Sequence, residues 1–185
     1  MTTTAKKLKY TTPGLTTEQA ATVIESLQAR LHACNDLHLT LKHAHWNVVG
    51  PHFIAVHEMI DPQVETVRGF ADDLAERIAT LGGSPTGTPG ALVEARSWEE
   101  YSVGRAGTQE HLAALDLVYQ GVISSYREDI ETLEDVDHVS QDMLIAQTAE
   151  LELFHWFVRA HLESTDGSLA TADATTEKEA VRSVS

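Results

Sequence analysis

Apolar residues recur every three or four positions through most of this 185-residue chain, the spacing that lines one face of an α-helix. In the first such stretch they are Val23, Leu27, Leu31, Cys34, Leu37 and Leu41. Thr16 and Gln19, three apart, form a capping box at its start. The Gly50-Pro51 pair stops it, so the spacing predicts a helix to about Asn47. A second helix is predicted over about Phe53–Leu81, ended by Gly82-Gly83. Pro62 lies inside it, removing one backbone hydrogen bond and bending the helix. A third is predicted over about Thr108–Glu134, with Leu112, Leu115, Val118, Val122, Ile130 and Leu133 on one side, and a fourth over about Ser140–Glu163. No strand-like alternation interrupts this body, and no internal repeat is visible. Residues 82–105, rich in glycine and proline, form one long connection with room for a short helical turn at Ser97–Tyr101.

Four long helices, with the one long connection between the second and third, predict an all-α, ferritin-like four-helix bundle. A plain up-down bundle shares the helix count and differs in where the long connection falls. The length suits one domain with a real core. We divide the chain into a flexible basic N-terminal tail (1–16), the bundle (17–164) and a flexible C-terminal tail (165–185). Both ends are rich in Thr, Ser and Ala and lack an apolar period.

Net charge narrows the function classes. The chain carries −15, of which the body contributes −16, the first sixteen residues +3 and the last segment −2. Such a body has no basic face for nucleic acid and attracts cations. One cysteine, Cys34, excludes a disulfide framework and a thiolate zinc site and fits a reducing cytoplasm. No apolar run approaches the ~20 residues of a membrane span, and no secretory signal precedes the body. Ten histidines stand out, because imidazole and carboxylate are the ligands of borderline and hard metals.

The second helix concentrates those ligand types. His57 and Asp61 are four apart, as are Asp72 and Glu76, so each pair shares a face. Eleven steps separate Asp61 from Asp72; at ~100° per residue they return to within roughly 20° of the start. All four groups line one stripe. The pair midpoints lie fifteen residues apart, about 22 Å along a helix, too far for one metal. A second copy laid antiparallel about a two-fold axis would bring His57 and Asp61 of one chain against Asp72 and Glu76 of the other, making two identical sites. An acidic helix face turned to solvent explains the same spacing.

The stretch His45-Trp46-Asn47, Gly50, Phe53, His57-Glu58, Asp61, Asp72, Ala75-Glu76-Arg77 and Leu81-Gly82 resembles the Dps family, the mini-ferritins named for DNA protection during starvation. Phe154-His155-Trp156-Phe157 is a weaker match, and the resemblance covers roughly residues 20–163. It implies that His45, His57 and Asp61 of one subunit, with Asp72 and Glu76 of its two-fold partner, bind Fe(II). It also implies a hollow twelve-subunit shell built from two-fold dimers. That shell oxidises Fe(II), preferably with hydrogen peroxide, and stores the ferric product inside, protecting DNA from oxidative damage. Trp46 resembles the family's tryptophan beside the site, where packing and sacrificial reduction are both open roles. Asp142 matches a pore-lining aspartate, with Asp135 and Asp137 as extensions of the funnel; acids at a helix start explain these three equally well. Glu58 is a candidate for mineral nucleation on the inner wall.

Other residues carry less. His43 lies on another helical face from His45. Glu152 and His155 have the Glu-x-x-His spacing of di-iron bundles, which need two such pairs where this chain has one; we read the pair as structural. Cys34 is expected to be inert core. The leading expectation is therefore a cytoplasmic ferroxidase and iron-storage shell. The alternative is a nucleoid-compacting protein that binds DNA through Lys6, Lys7 and Lys9 and has secondary iron chemistry. A two-metal hydrolase is a third reading, unsupported by any oxyanion-hole or specificity-pocket motif.

Overall fold

A computed structural model describes residues 8–185; Lys6 and Lys7 lie outside the described residues, and Lys9 within them. The first helix, α1, spans Thr17–Asn47 and opens with the expected capping box between Thr16 and Gln19. Val48–Val49 form a two-residue strand, β1. A turn through Gly50, at φ +107°, then leads into α2, Phe53–Thr80, which runs unbroken through Pro62. Gly82 closes α2 at φ +87°. A Cβ there would also meet the Tyr10 carbonyl oxygen at 2.4 Å, so backbone conformation and close approach both require glycine.

The long connection contains α3, Pro89–Ala95, with Pro89 at its first turn. The short helix therefore lies upstream of the Ser97–Tyr101 turn expected from sequence, started by Thr88 and the proline. The connection ends in β2, Ala106–Gly107, which pairs in parallel with β1. Two residues per strand are too few to show alternation. That pairing brings the start of α4, Thr108–Leu133, to the end of the bundle where α1 stops and α2 starts. Helices α2 and α4 therefore run the same way, and residues 81–107 must travel the bundle's length to allow it. This is the ferritin-like crossover. A further long helix, α5, spans His138–Ala160.

The core runs along the bundle through Leu27, Leu37, Ile60, Leu74, Leu115 and Leu151. Two buried tyrosines of α4 tie helices together: Tyr119 donates to Gln63 of α2 at 2.6 Å, and Tyr126 to Gln147 of α5 at 3.0 Å. Tyr126 also lies 3.0 Å from Cys34 Sγ. Burial pushes that thiol up to about 11, so it is the inert core cysteine expected.

The C-terminal segment departs from the tail expected for 165–185. A tight turn through Gly167 pairs Glu163 with Leu169, and Thr171 donates to buried Asp116 of α4 at 2.6 Å. A final helix, α6, Glu177–Ser183, carries its own capping box and seats Ala180, fully buried, in the main core. One threonine, one alanine and scattered small apolar residues anchor this strap. None forms a period, which is why the sequence reads as a tail.

Candidate metal centre

The turn at 48–52 folds α2 back on α1 and brings His45, one turn from the end of α1, against His57 in the second turn of α2. Their rings stack at 3.6 Å between centroids and 22° between planes. His45 Nδ1 lies 3.0 Å from the His57 carbonyl oxygen, and His57 Nδ1 lies 2.9 Å from the His45 carbonyl oxygen. A carbonyl only accepts, so each Nδ1 carries the proton. In the neutral imidazole the lone pair then falls on Nε2, the tautomer a metal ligand needs. The reciprocal pair fixes both rings against each other.

Asp61, one turn beyond His57, joins this half of the site. Its Oδ1 is 3.3 Å from His45 Nδ1 and 2.6 Å from Lys42 Nζ. The hydrogen bond from Lys42 holds the Asp61 carboxyl below its usual range, with the His45 imidazole acting in the same direction. Lys42 is no ligand type and so escapes a reading by ligand spacing, although a cation three residues before His45 shares its helical face.

Asp72 and Glu76 stand apart from this cluster, exposed farther along α2. No group of three or more His, Cys, Asp and Glu among the described residues is arranged to hold a metal ion. The adjacent Arg77 turns inward, donating to Ser140 Oγ at 2.9 Å and pairing with Asp137 at 2.7 Å. This fixes the C-terminal end of α2 against α5. Adjacent to the imidazoles in sequence, Trp46, Phe53 and Ile54 leave large apolar surface exposed, Trp46 to 70%. The Phe53 and His57 rings meet edge to face, with 6.0 Å between centroids.

Asp137 does not stand free as a pore acid. Its side chain is 7% exposed, caps α5 through the amides of Val139 and Ser140, and pairs with Arg77. Burial pushes its carboxyl up, but the bonds from Ser140 and Arg77 outweigh this and leave it lowered. Asp135, Asp142 and Glu58 are exposed. The Glu-x-x-His pair diverges: Glu152 takes Arg127, while His155 turns inward to Asp116 at 2.6 Å. His43 bonds the Val103 carbonyl at 2.9 Å.

A ferritin-like domain model matches residues 24–168. A "DNA protection during starvation protein" of Mycolicibacterium smegmatis is 64% identical over 169 residues, 91% of this chain and 92% of that one. The chain belongs to the Dps branch of the ferritin-like family. Solved structures agree. Mycobacterium smegmatis Dps matches with a TM-score of 0.89 at 63% identity, covering 90% of this chain and 95% of that one. DpsA14 from Streptomyces coelicolor matches at 0.88 and 60%, covering 89% and 98%. The five positions expected from sequence as ligands, His45, His57, Asp61, Asp72 and Glu76, fall inside the matched span. No described helix is long and apolar enough to cross a membrane.

Proposed function

We propose that this Dps chain is a ferroxidase and iron-storage subunit whose site is completed by a second copy. His45, His57 and Asp61 supply one half; Asp72 and Glu76 of the two-fold partner supply the other. The observation that carries the reading is the stacked imidazole pair with both Nδ1 protons committed to carbonyls. The reciprocal bonds tie α1 to α2 and, with both Nδ1 atoms committed, leave the two Nε2 atoms as the ligand positions. The exposed apolar surface around Trp46 and Phe53 supports a partner at this face.

Imidazole and carboxylate hold Fe(II) and also tolerate Fe(III). Two ferrous ions give one electron each to one peroxide. With two protons the O–O bond breaks to give two waters, and no hydroxyl radical is released. Open, carboxylate-rich coordination lets the ferric product leave for a mineral inside a closed shell, which we take to be a dodecamer. The exposed acids Asp142 and Glu58 would serve iron entry and mineral nucleation. Consuming ferrous iron and peroxide together protects DNA without touching it, and DNA protection is what the M. smegmatis relative is named for.

Subunit mixing tests the shared site. His57→Ala damages one half of each site and Glu76→Ala the other, so either variant alone is expected to lose peroxide-driven Fe(II) oxidation. Unfolded together and reassembled in equal amounts, random pairing across a two-fold contact restores about one quarter of the sites. Failure of the mixed shell to exceed either variant, with assembly intact by light scattering, would overturn the inter-subunit assignment.

A further inference from the structure

Between α1, α4, residues 97–101 and the C-terminal strap lies a cavity of about 430 Å³, within the range of small-ligand pockets. Neither His45 nor His57 lines it. Its floor is apolar, formed by Leu37, Leu117, Val118 and Val122. One wall is the Trp98 indole, 40% exposed.

Charge is distributed unequally around this floor. One guanidinium lines it, Arg30, already neutralised by Asp129 at 2.9 Å, and Asp36 in the lining is itself paired with Arg96. Glu99 and Glu177 at the rim have no basic partner among the described residues, and Glu100 reaches Arg96 only at 3.7 Å. Glu177 instead accepts from the Ser102 amide at 2.8 Å. An apolar trough under an acidic rim suits a ligand with one cationic end and an aliphatic body.

A second observation is independent of charge. Gly121 sits in the interior of α4 and borders both this cavity and a shallower one beside it. It has no positive φ, and a Cβ added there would meet nothing within 4 Å. A helix-interior glycine weakens a helix, and no turn or close packing in this chain requires it. A longer side chain at this position would enter the trough.

We propose that this α1–α4 trough binds a linear aliphatic amine in its ammonium form. The alkyl chain lies over Gly121 and Val122 beside Trp98, and the ammonium group sits at Glu99 and Glu177. The probes are methylammonium, n-butylammonium and n-hexylammonium, titrated calorimetrically into the assembled full-length protein at about 0.15 M salt. Affinity is expected to rise roughly fourfold for each further methylene buried, and Gly121→Leu, which fills the trough, is expected to abolish binding with Fe(II) oxidation unchanged. Affinity independent of chain length, or undiminished in Gly121→Leu, shows only ion condensation on an acidic surface and overturns the proposal. If Gly121→Leu fails to fold by circular dichroism, the chain-length series decides, together with Glu99→Gln. That surface variant is expected to weaken n-hexylammonium about threefold, and an unchanged affinity counts against the site.

Discussion

Asp137 separates two roles that an acid near a helix start can play, so its removal has a sharp expected outcome. In Asp137→Ala, α5 loses the side chain that accepts from the amides of Val139 and Ser140 at 3.3 and 3.2 Å. Loss of such a cap costs about 1 kcal/mol. Arg77, with 13% of its side chain exposed, also loses its counter-charge. Stranding one member of a buried pair costs about 3–5 kcal/mol, and the lower end applies because this guanidinium can turn partly to water. Both losses pass through one carboxylate and do not simply add, so the net effect is about 3–4 kcal/mol. For a chain of this size that lowers Tm by roughly 6–16 °C, read by calorimetry at fixed protein concentration because assembly contributes to stability. Asp135→Ala, at an exposed neighbour, is the control and is expected within about 0.5 kcal/mol of wild type.

The pH dependence follows with a definite sign. The Asp137 carboxyl is lowered in the folded chain from an ordinary 3.8. Its contribution is therefore full above that value and is lost as pH falls through the lower folded value. The gap between wild type and Asp137→Ala should be constant near neutrality and close below about pH 4. Equal melting temperatures for Asp137→Ala and Asp135→Ala, accompanied by slowed iron uptake in Asp137→Ala, would refute the capping assignment and restore a pore role.

Three other outcomes are expected. Lys42→Met frees Asp61 from its ion pair and should tighten anaerobic Fe(II) binding by calorimetry; weaker binding would mean that Lys42 supports the metal rather than competes with it. The Asp116 carboxyl is raised by burial but lowered overall by its bonds to His155 and Thr171, so the contact that ties down the strap is lost as pH falls below about 4. Hydrogen exchange over residues 169–184 should accelerate there before exchange in α4 does, and simultaneous exchange would refute a separate latch. Deleting residues 1–16 should remove any DNA retention, which in the full chain should weaken steeply with salt, while Fe(II) oxidation survives; retention by the truncated chain would place the contact elsewhere.

What could be read from the sequence depended on periodicity and on ligand spacing. The capping box at Thr16 and the apolar series from Val23 to Leu41 repeat with the helical period, so α1 emerged with both ends. His57 and Asp61 were legible as neighbours because they lie one helical turn apart. Their meeting with His45 was not a matter of period: it depends on the 48–52 turn, and entered through family resemblance. The Lys42–Asp61 pair, the Asp137–Arg77 pair and the strap are not legible in the sequence for a common reason. Each depends on a partner far along the chain, at Asp61, Arg77 or Asp116, and single-helix geometry does not report such pairs.

Those pairs also change the meaning of the net charge. The body has eight basic side chains, and Arg30, Lys42, Arg68, Arg77, Arg96 and Arg127 are each committed to a carboxylate. A charge of −15 counts all acids alike, whereas the fold uses the cations inside and at its seams. Asp72, Glu76, Asp142 and Glu58 are left exposed, in no ion pair with a described base. Repulsion among such groups disfavours the compact chain, and it is relieved most by a multivalent cation held where two copies meet. On the proposed reading, Asp72 and Glu76 are the acids through which ferrous iron would favour the pairing of two copies.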